Sequence, residues 1–169
     1  MDFESMIDLR RPYADEIATL KTLNAFQDAE QTRGHMSFRV RELMFDFSLM
    51  RTDKDTPEWE KIALFLDHLE ALSSCAPTEE ELGKAPLLDQ WCAIHDSDTV
   101  LLIGYVTGHP HLRDGGRART SLVLQIQPEN GWARTWNRFY RLGAASRLTF
   151  FEWQHEGKIG PRMQIVEFV

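Results

Sequence analysis

Cysteine is scarce in this 169-residue chain, which holds two, Cys75 and Cys92, with no Cys-x-x-Cys or Cys/His spacing. At most one disulfide can form, and reduced, partly buried thiols in a cytoplasmic protein are the expectation. Long apolar runs are missing as well. The longest, Val100 to Val106 with Gly104 inside it, falls far short of the roughly 20 residues needed to span a bilayer. The opening Met-Asp-Phe-Glu-Ser has acidic residues and no apolar stretch of signal-peptide length, so neither a leader nor a membrane partner is expected. No internal repeat, low-complexity tract or flexible linker appears.

Several chemical signatures are absent too. Asp114-Gly115-Gly116 lacks both the Lys-Ser/Thr ending of a phosphate-cradling loop and the order of a dinucleotide-binding turn. Ser121 follows Thr120 without the Gly-x-Ser-x-Gly elbow that would expose a nucleophile. Neither cysteine has a fixed basic neighbour to favour its thiolate. Glu79, Glu80 and Glu81 are accounted for by a helix N-terminus. These absences weigh against catalysis and give no cofactor a binding motif.

What is present is material for one core: 43% hydrophobic, 11% aromatic and 27% charged residues make a folded single domain over 1–169. The formal charge of −7 hides an asymmetry. Residues 101–169 carry 5 acidic against 9 basic side chains, eight of them arginine, whereas residues 1–100 are strongly acidic. Arginine suits bidentate contacts to carboxylate or phosphate better than lysine does.

Residues 1–88 read as mainly helical. Tyr13 to Thr32 carries Ile17, Leu20, Leu23 and Phe26, with Gly34 placed to stop it. Met36 to Met50 satisfies two periods. Val40, Leu43, Met44, Phe47 and Met50 have helical spacing, while Leu43, Phe45, Phe47 and Leu49 alternate as in a strand, and length favours a helix. Thr56 and Pro57 open a further helix whose stripe is Ile62, Phe65, Leu66, Leu69 and Leu72. Thr78 and Glu81 form a capping box, and Ala85-Pro86 ends the short helix behind it.

Residues 89–169 read as mainly β. Thr99 to Thr107 is apolar on both faces, Ala118 to Gln127 alternates, and Gln90 to His95 adds a strand. Arg147 to His155 and Ile159 to Phe168, about Glu156-Gly157-Lys158, read as a hairpin. The expected class is α+β: N-terminal helices packed on a C-terminal antiparallel sheet of about four or five strands, with one inserted amphipathic helix. That helix is Asn130 to Leu142, with Gly143 as its stop. At about 100° per residue, Trp132, Trp136, Phe139 and Tyr140 fall on one side and Arg134, Arg138 and Arg141 on the other.

The arginine ridge is the expected binding face, extended by Arg113, Arg117 and Arg119 of the neighbouring loop. Its partner would be an acidic protein surface more than nucleic acid, because net acidity opposes binding driven by charge neutralisation. Two other readings stand beside it. His109, His111 and Asp114 could ligate a metal and support metal-assisted hydrolysis. A homo-oligomer could form by docking the acidic half of one copy on the basic half of another.

The chain also resembles an uncharacterised family of small bacterial proteins. The resemblance rests on Ala85-Pro86-Leu87-Leu88-Asp89-Gln90-Trp91, Gly104-Tyr105-Val106-Thr107-Gly108-His109-Pro110, Arg119-Thr120-Ser121, Gly131-Trp132-Ala133-Arg134-Thr135 and Arg138-Phe139-Tyr140-Arg141-Leu142-Gly143. It implies that His109, Thr120, Ser121, Arg134 and Arg141 belong to the family pattern, and it transfers no mechanism.

Overall fold

A computed structural model describes residues 8–96 and 99–168. The chain divides into two compact units, one of residues 13–74 and the other of residues 8–12 with 75–168. The α+β class holds, and the sheet is larger than expected.

The first unit is all helical: α1 Ala14–Asn24, α2 Ala29–Gly34, α3 Phe38–Arg51 and α4 Glu58–Ser74. The single helix expected over Tyr13 to Thr32 is broken. Gln27 takes the left-handed φ of 58°, and Asp28 then caps α2 by accepting the Gln31 amide at 3.0 Å. Asn24 is buried at the break and donates its Nδ2 to the Trp59 carbonyl at 2.9 Å. The ambiguous stretch is helical. Ser37 caps α3, which buries Val40, Leu43, Met44 and Phe47, and Phe47 meets Phe65 of α4 with ring centroids 5.6 Å apart. The α4 stripe is as read, with Ile62, Phe65, Leu66 and Leu69 buried and Leu72 half-buried. Each such side chain contributes about 1.5–3 kcal/mol when fully buried.

The second unit begins with α5 Glu79–Lys84, where Thr78 and Glu81 form the expected capping box. The strands are β1 Leu87–Asp96, β2 Thr99–Thr107, β3 Gly116–Arg119, β4 Val123–Gln127, β5 Trp132–Thr135, β6 Phe139–Leu142 and β7 Gln164–Val166; α6 Arg147–His155 precedes the last. Their order is β3-β2-β1-β6-β5-β4, with β7 added to β1. The sheet is mixed, because β1 and β6 run parallel. β3 and β4 lie at opposite ends of this path, yet only Thr120 to Leu122 separate them in the chain. The sheet must therefore coil. Its inner face gathers Ala118 of β3 and Val123 and Ile126 of β4 into one core with Leu88, Leu102, Ala133 and Tyr140.

Two expected elements are corrected. Asn130 to Leu142 is not a helix. Pro128–Asn130 make one 3-10 turn, Gly131 turns left-handed at φ 73°, and β5 and β6 follow as a hairpin. Helical spacing of the arginines was real but uninformative, since Thr135 and the four aromatics suit a strand at least as well. β5 gains a full ladder against β4 on its other side, which no local period reports. The C-terminal hairpin is also absent. Residues 147–155 form α6, burying Thr149, Phe150 and Trp153 at helical spacing, and only Gln164–Val166 is a strand, paired with β1.

Candidate functional site

Strand register decides where each arginine lies. Trp132 faces Arg141 across β5–β6, and Arg134 faces Phe139. Directly paired residues share a face, so these four lie on the outer side of the coiled sheet while Ala133 and Tyr140 point inward. Arg134 and Arg141 thus share a side with two of the aromatics, contrary to the helical expectation.

Arg134 is half-buried with its guanidinium 4.7 Å from the Phe139 ring centroid. Burial lowers its pKa, and the charge of Glu81 opposes that shift. The register sets Arg134 opposite Gln125, and Arg134 Nε and Gln125 Oε1 are both buried without a hydrogen-bond partner. Arg134 is a packed cation. Arg141 is exposed, and its Nε donates to the Ala85 carbonyl at 3.0 Å. Arg138 ends the tight β5–β6 turn, where its carbonyl accepts the Thr135 amide at 2.9 Å. The three do not form a ridge.

Arg113 and Arg119 each lie beside Arg117 instead, the first across a cavity and the second along β3. β3 pairs with β2 alone among the described residues, setting Tyr105 opposite Arg117 and Ile103 opposite Arg119. Arg117 and Arg119 are two residues apart on this strand and share its outer face. Arg117 donates to Glu156 at 2.5 Å and lies 5.6 Å from the Trp153 ring centroid. The Glu156 carboxylate holds the Arg117 pKa above its ordinary value, with Tyr105 adding to the effect. Arg113 and Arg117 then flank a cavity of about 550 Å³ whose wall includes Tyr105, Leu112 and Gly116. Tyr105, Glu156 and Trp153 escaped the sequence reading because β2–β3 register and the path of α6 bring them there, and no spacing in the chain announces it.

The histidine loop is held by its own polar atoms. His109 Nδ1 accepts the His111 amide at 3.1 Å, and Asp114 Oδ1 accepts the Gly108 amide at 2.8 Å. The two imidazoles lie 6.0 Å apart, and His109 stacks on Tyr140 at 6.3 Å. Burial lowers the His109 pKa, helped by the charges of Arg138 and His111. Among the described residues, no three His, Cys, Asp or Glu side chains are grouped to hold a metal ion.

The remaining residues that carry the resemblance serve the backbone. Thr120 Oγ1 accepts the Leu102 amide at 2.9 Å, and its own amide donates to the Leu102 carbonyl. Ser121 Oγ accepts the Asn137 amide at 3.3 Å, which ties the β3–β4 link to the β5–β6 turn. Trp91 Nε1 donates to the Gly143 carbonyl at 3.1 Å, and the Gly143 amide donates to Leu88.

An α+β protein with a coiled mixed sheet and an arginine-lined edge is the class that these features define. The chain belongs to a family of unknown function (DUF6634), whose model matches residues 59–152. That span starts in α4 and ends in α6, so it adds most of α4, all of α5 and part of α6 to the Ala85–Gly143 stretch that carries the resemblance. No curated protein and no solved structure matches the chain. No helix among the described residues is long and apolar enough to cross a membrane.

Proposed function

We propose that this is a small non-catalytic binding protein, a regulator or accessory factor, that grips an acidic protein partner through the Arg113, Arg117 and Arg119 edge. One observation carries the reading: Arg113 and Arg117 flank a cavity walled by Tyr105, and Arg119 follows Arg117 on the outer face of β3. Among the described residues, Arg117 is the one of the three with a carboxylate partner, Glu156. Planar guanidinium groups on an edge strand suit a carboxylate-bearing segment laid against them, and they also keep that edge from pairing indiscriminately. The net charge of −7 favours a protein over nucleic acid, since the molecule as a whole repels a polyanion. Under this reading the protein works in the cytoplasm with both thiols reduced.

The test is affinity capture from the native cell, with and without nuclease, using the wild type and the Arg113→Ala, Arg117→Ala, Arg119→Ala variant. The expected result is a partner retained after nuclease and lost with the variant, whose thermal midpoint stays near that of the wild type. Capture that disappears on nuclease treatment makes the partner a nucleic acid. Undiminished capture by the variant overturns the reading.

A further inference from the structure

Helix α3 has two apolar faces. Val40, Leu43, Met44 and Phe47 are buried in the core of the helical unit. Phe38, Phe45 and Leu49, at i, i+7 and i+11, fall within about 40° of one another on the diametrically opposite side. They are 65%, 64% and 69% exposed. A helix apolar on both sides ordinarily has both sides covered. The stripe runs for about 17 Å at 1.5 Å per residue, three turns of helix. Three aligned large side chains form a patch, unlike the single exposed hydrophobes that soluble surfaces tolerate.

Along one flank of this stripe lies a groove of about 520 Å³ with Met44, Phe45 and Leu49 on its floor. Arg33, Arg41, Lys54 and Lys61 line it, and among the described residues Glu58 is the one carboxylate that does. Glu58 already takes Arg33 at 3.1 Å and Lys61 at 3.5 Å, and the Lys61 side chain is only 14% exposed. Arg41 spends its guanidinium on the Met36 carbonyl. The groove is therefore apolar at its base and cationic at its rim. The opposite flank of α3 carries Glu42, Asp46 and Arg39, whose guanidinium is paired with Glu42 at 2.9 Å and lies 5.7 Å from the Phe38 ring centroid, so the net positive charge gathers on the groove side.

From this pattern we propose that the α3 groove is a docking site for an amphipathic helix of a partner protein. Its apolar stripe would lie on Phe38, Phe45 and Leu49 and its acidic flank on Arg33, Arg41 and Lys54. The three-turn length favours a helix over a small molecule, which would fill the groove without reaching Phe38. The concave shape and the Glu42/Asp46 flank disfavour a flat anionic bilayer. Recognition of this kind reads apolar anchors at i, i+3/i+4 and i+7. The site is independent of the β3 edge, and all its residues except Lys61 lie outside the stretch shared with the family.

The probe is a labelled peptide of about four helical turns with leucine and phenylalanine on one face and glutamate beside them, set against the same peptide with lysine for glutamate. By fluorescence anisotropy the full chain should bind the glutamate peptide at least tenfold more tightly than the lysine peptide, and the preference should shrink as salt rises. Phe45→Ser with Leu49→Ser should abolish binding, and Arg41→Glu with Lys54→Glu should reverse the charge preference. Both pairs should keep the wild-type circular dichroism and thermal midpoint, because the four side chains are exposed. Equal binding of the two peptides, or binding that survives the serine pair, overturns the proposal. So does sedimentation showing a dimer that the serine pair dissolves, which makes the occupant a second copy, or cosedimentation with phosphatidylserine vesicles that the serine pair prevents.

Discussion

The Asp89 carboxylate accepts the Ala144 amide at 2.8 Å, and Gly143 passes so close that a Cβ there would lie 2.5 Å from the same Oδ1. Asp89 also sits at the bulge of β1, where its carbonyl would be 2.8 Å from a Cβ on Gly104. One residue thus sets the approach of two chain segments. Gly104→Ala should destabilise by about 1–3 kcal/mol, since backbone has to move. Gly143→Ala should cost less, because the carboxylate can swing away at the expense of the Ala144 bond. Gly83→Ala, in open space on α5, should stabilise by about 0.5 kcal/mol. Denaturant midpoints of the three variants check this order.

Thr120 is expected to be structural. Thr120→Val leaves the buried Leu102 amide without its acceptor and should cost about 1–3 kcal/mol, whereas Thr120→Ser should restore most of it. A valine variant as stable as the wild type would show that the Leu102 amide finds another partner.

The thiols should separate by reactivity. Burial pushes the Cys92 thiol up to about 11, and Cys75 is exposed. At mildly alkaline pH, iodoacetamide should label Cys75 alone in the folded protein and both cysteines in denaturant, as mass spectrometry of the alkylated chain will report.

His109 gives a pH signature. Its folded pKa lies below the ordinary imidazole value, so the unfolded chain binds a proton first as pH falls. The stabilisation is complete above the ordinary value of about 6.5 and disappears as pH drops from there through the lowered folded value. His109→Phe, which keeps a ring on Tyr140, should lose less thermal stability than the wild type between about pH 8 and about pH 5. Parallel loss in both proteins would assign the acid sensitivity to other groups.

The parts legible in the chain were those whose neighbours in space are neighbours in sequence. The Thr78/Glu81 box, the Ile62 to Leu69 stripe and the doubly apolar Thr99 to Thr107 strand each follow from contacts within one element. Even the strand-like alternation of Leu43, Phe45, Phe47 and Leu49 was a true signal. It arose because α3 keeps a second apolar face, and the sequence already held the residues of the proposed groove. The placement of the arginines was legible only in part. Arg117 and Arg119 share a face of β3 and Arg113 lines a cavity with Arg117, whereas Arg134 is packed on Phe139 and Arg141 serves Ala85.

Composition and local period alone determined the α+β class, the helical first part, the capping box and the basic tilt of residues 101–169. Tertiary structure alone decided that residues 132–142 form a hairpin, that 147–155 form a helix, and that the sheet coils. The reason is physical. Those segments carry residues that satisfy both periods, and the difference is made by ladders to β4 and β1 for the hairpin and by the burial of Phe150 and Trp153 against the sheet for the helix, all of which depend on where distant segments lie. Cross-strand register, which places Tyr105 against Arg117 and Arg134 against Phe139, has no expression in spacing along the chain.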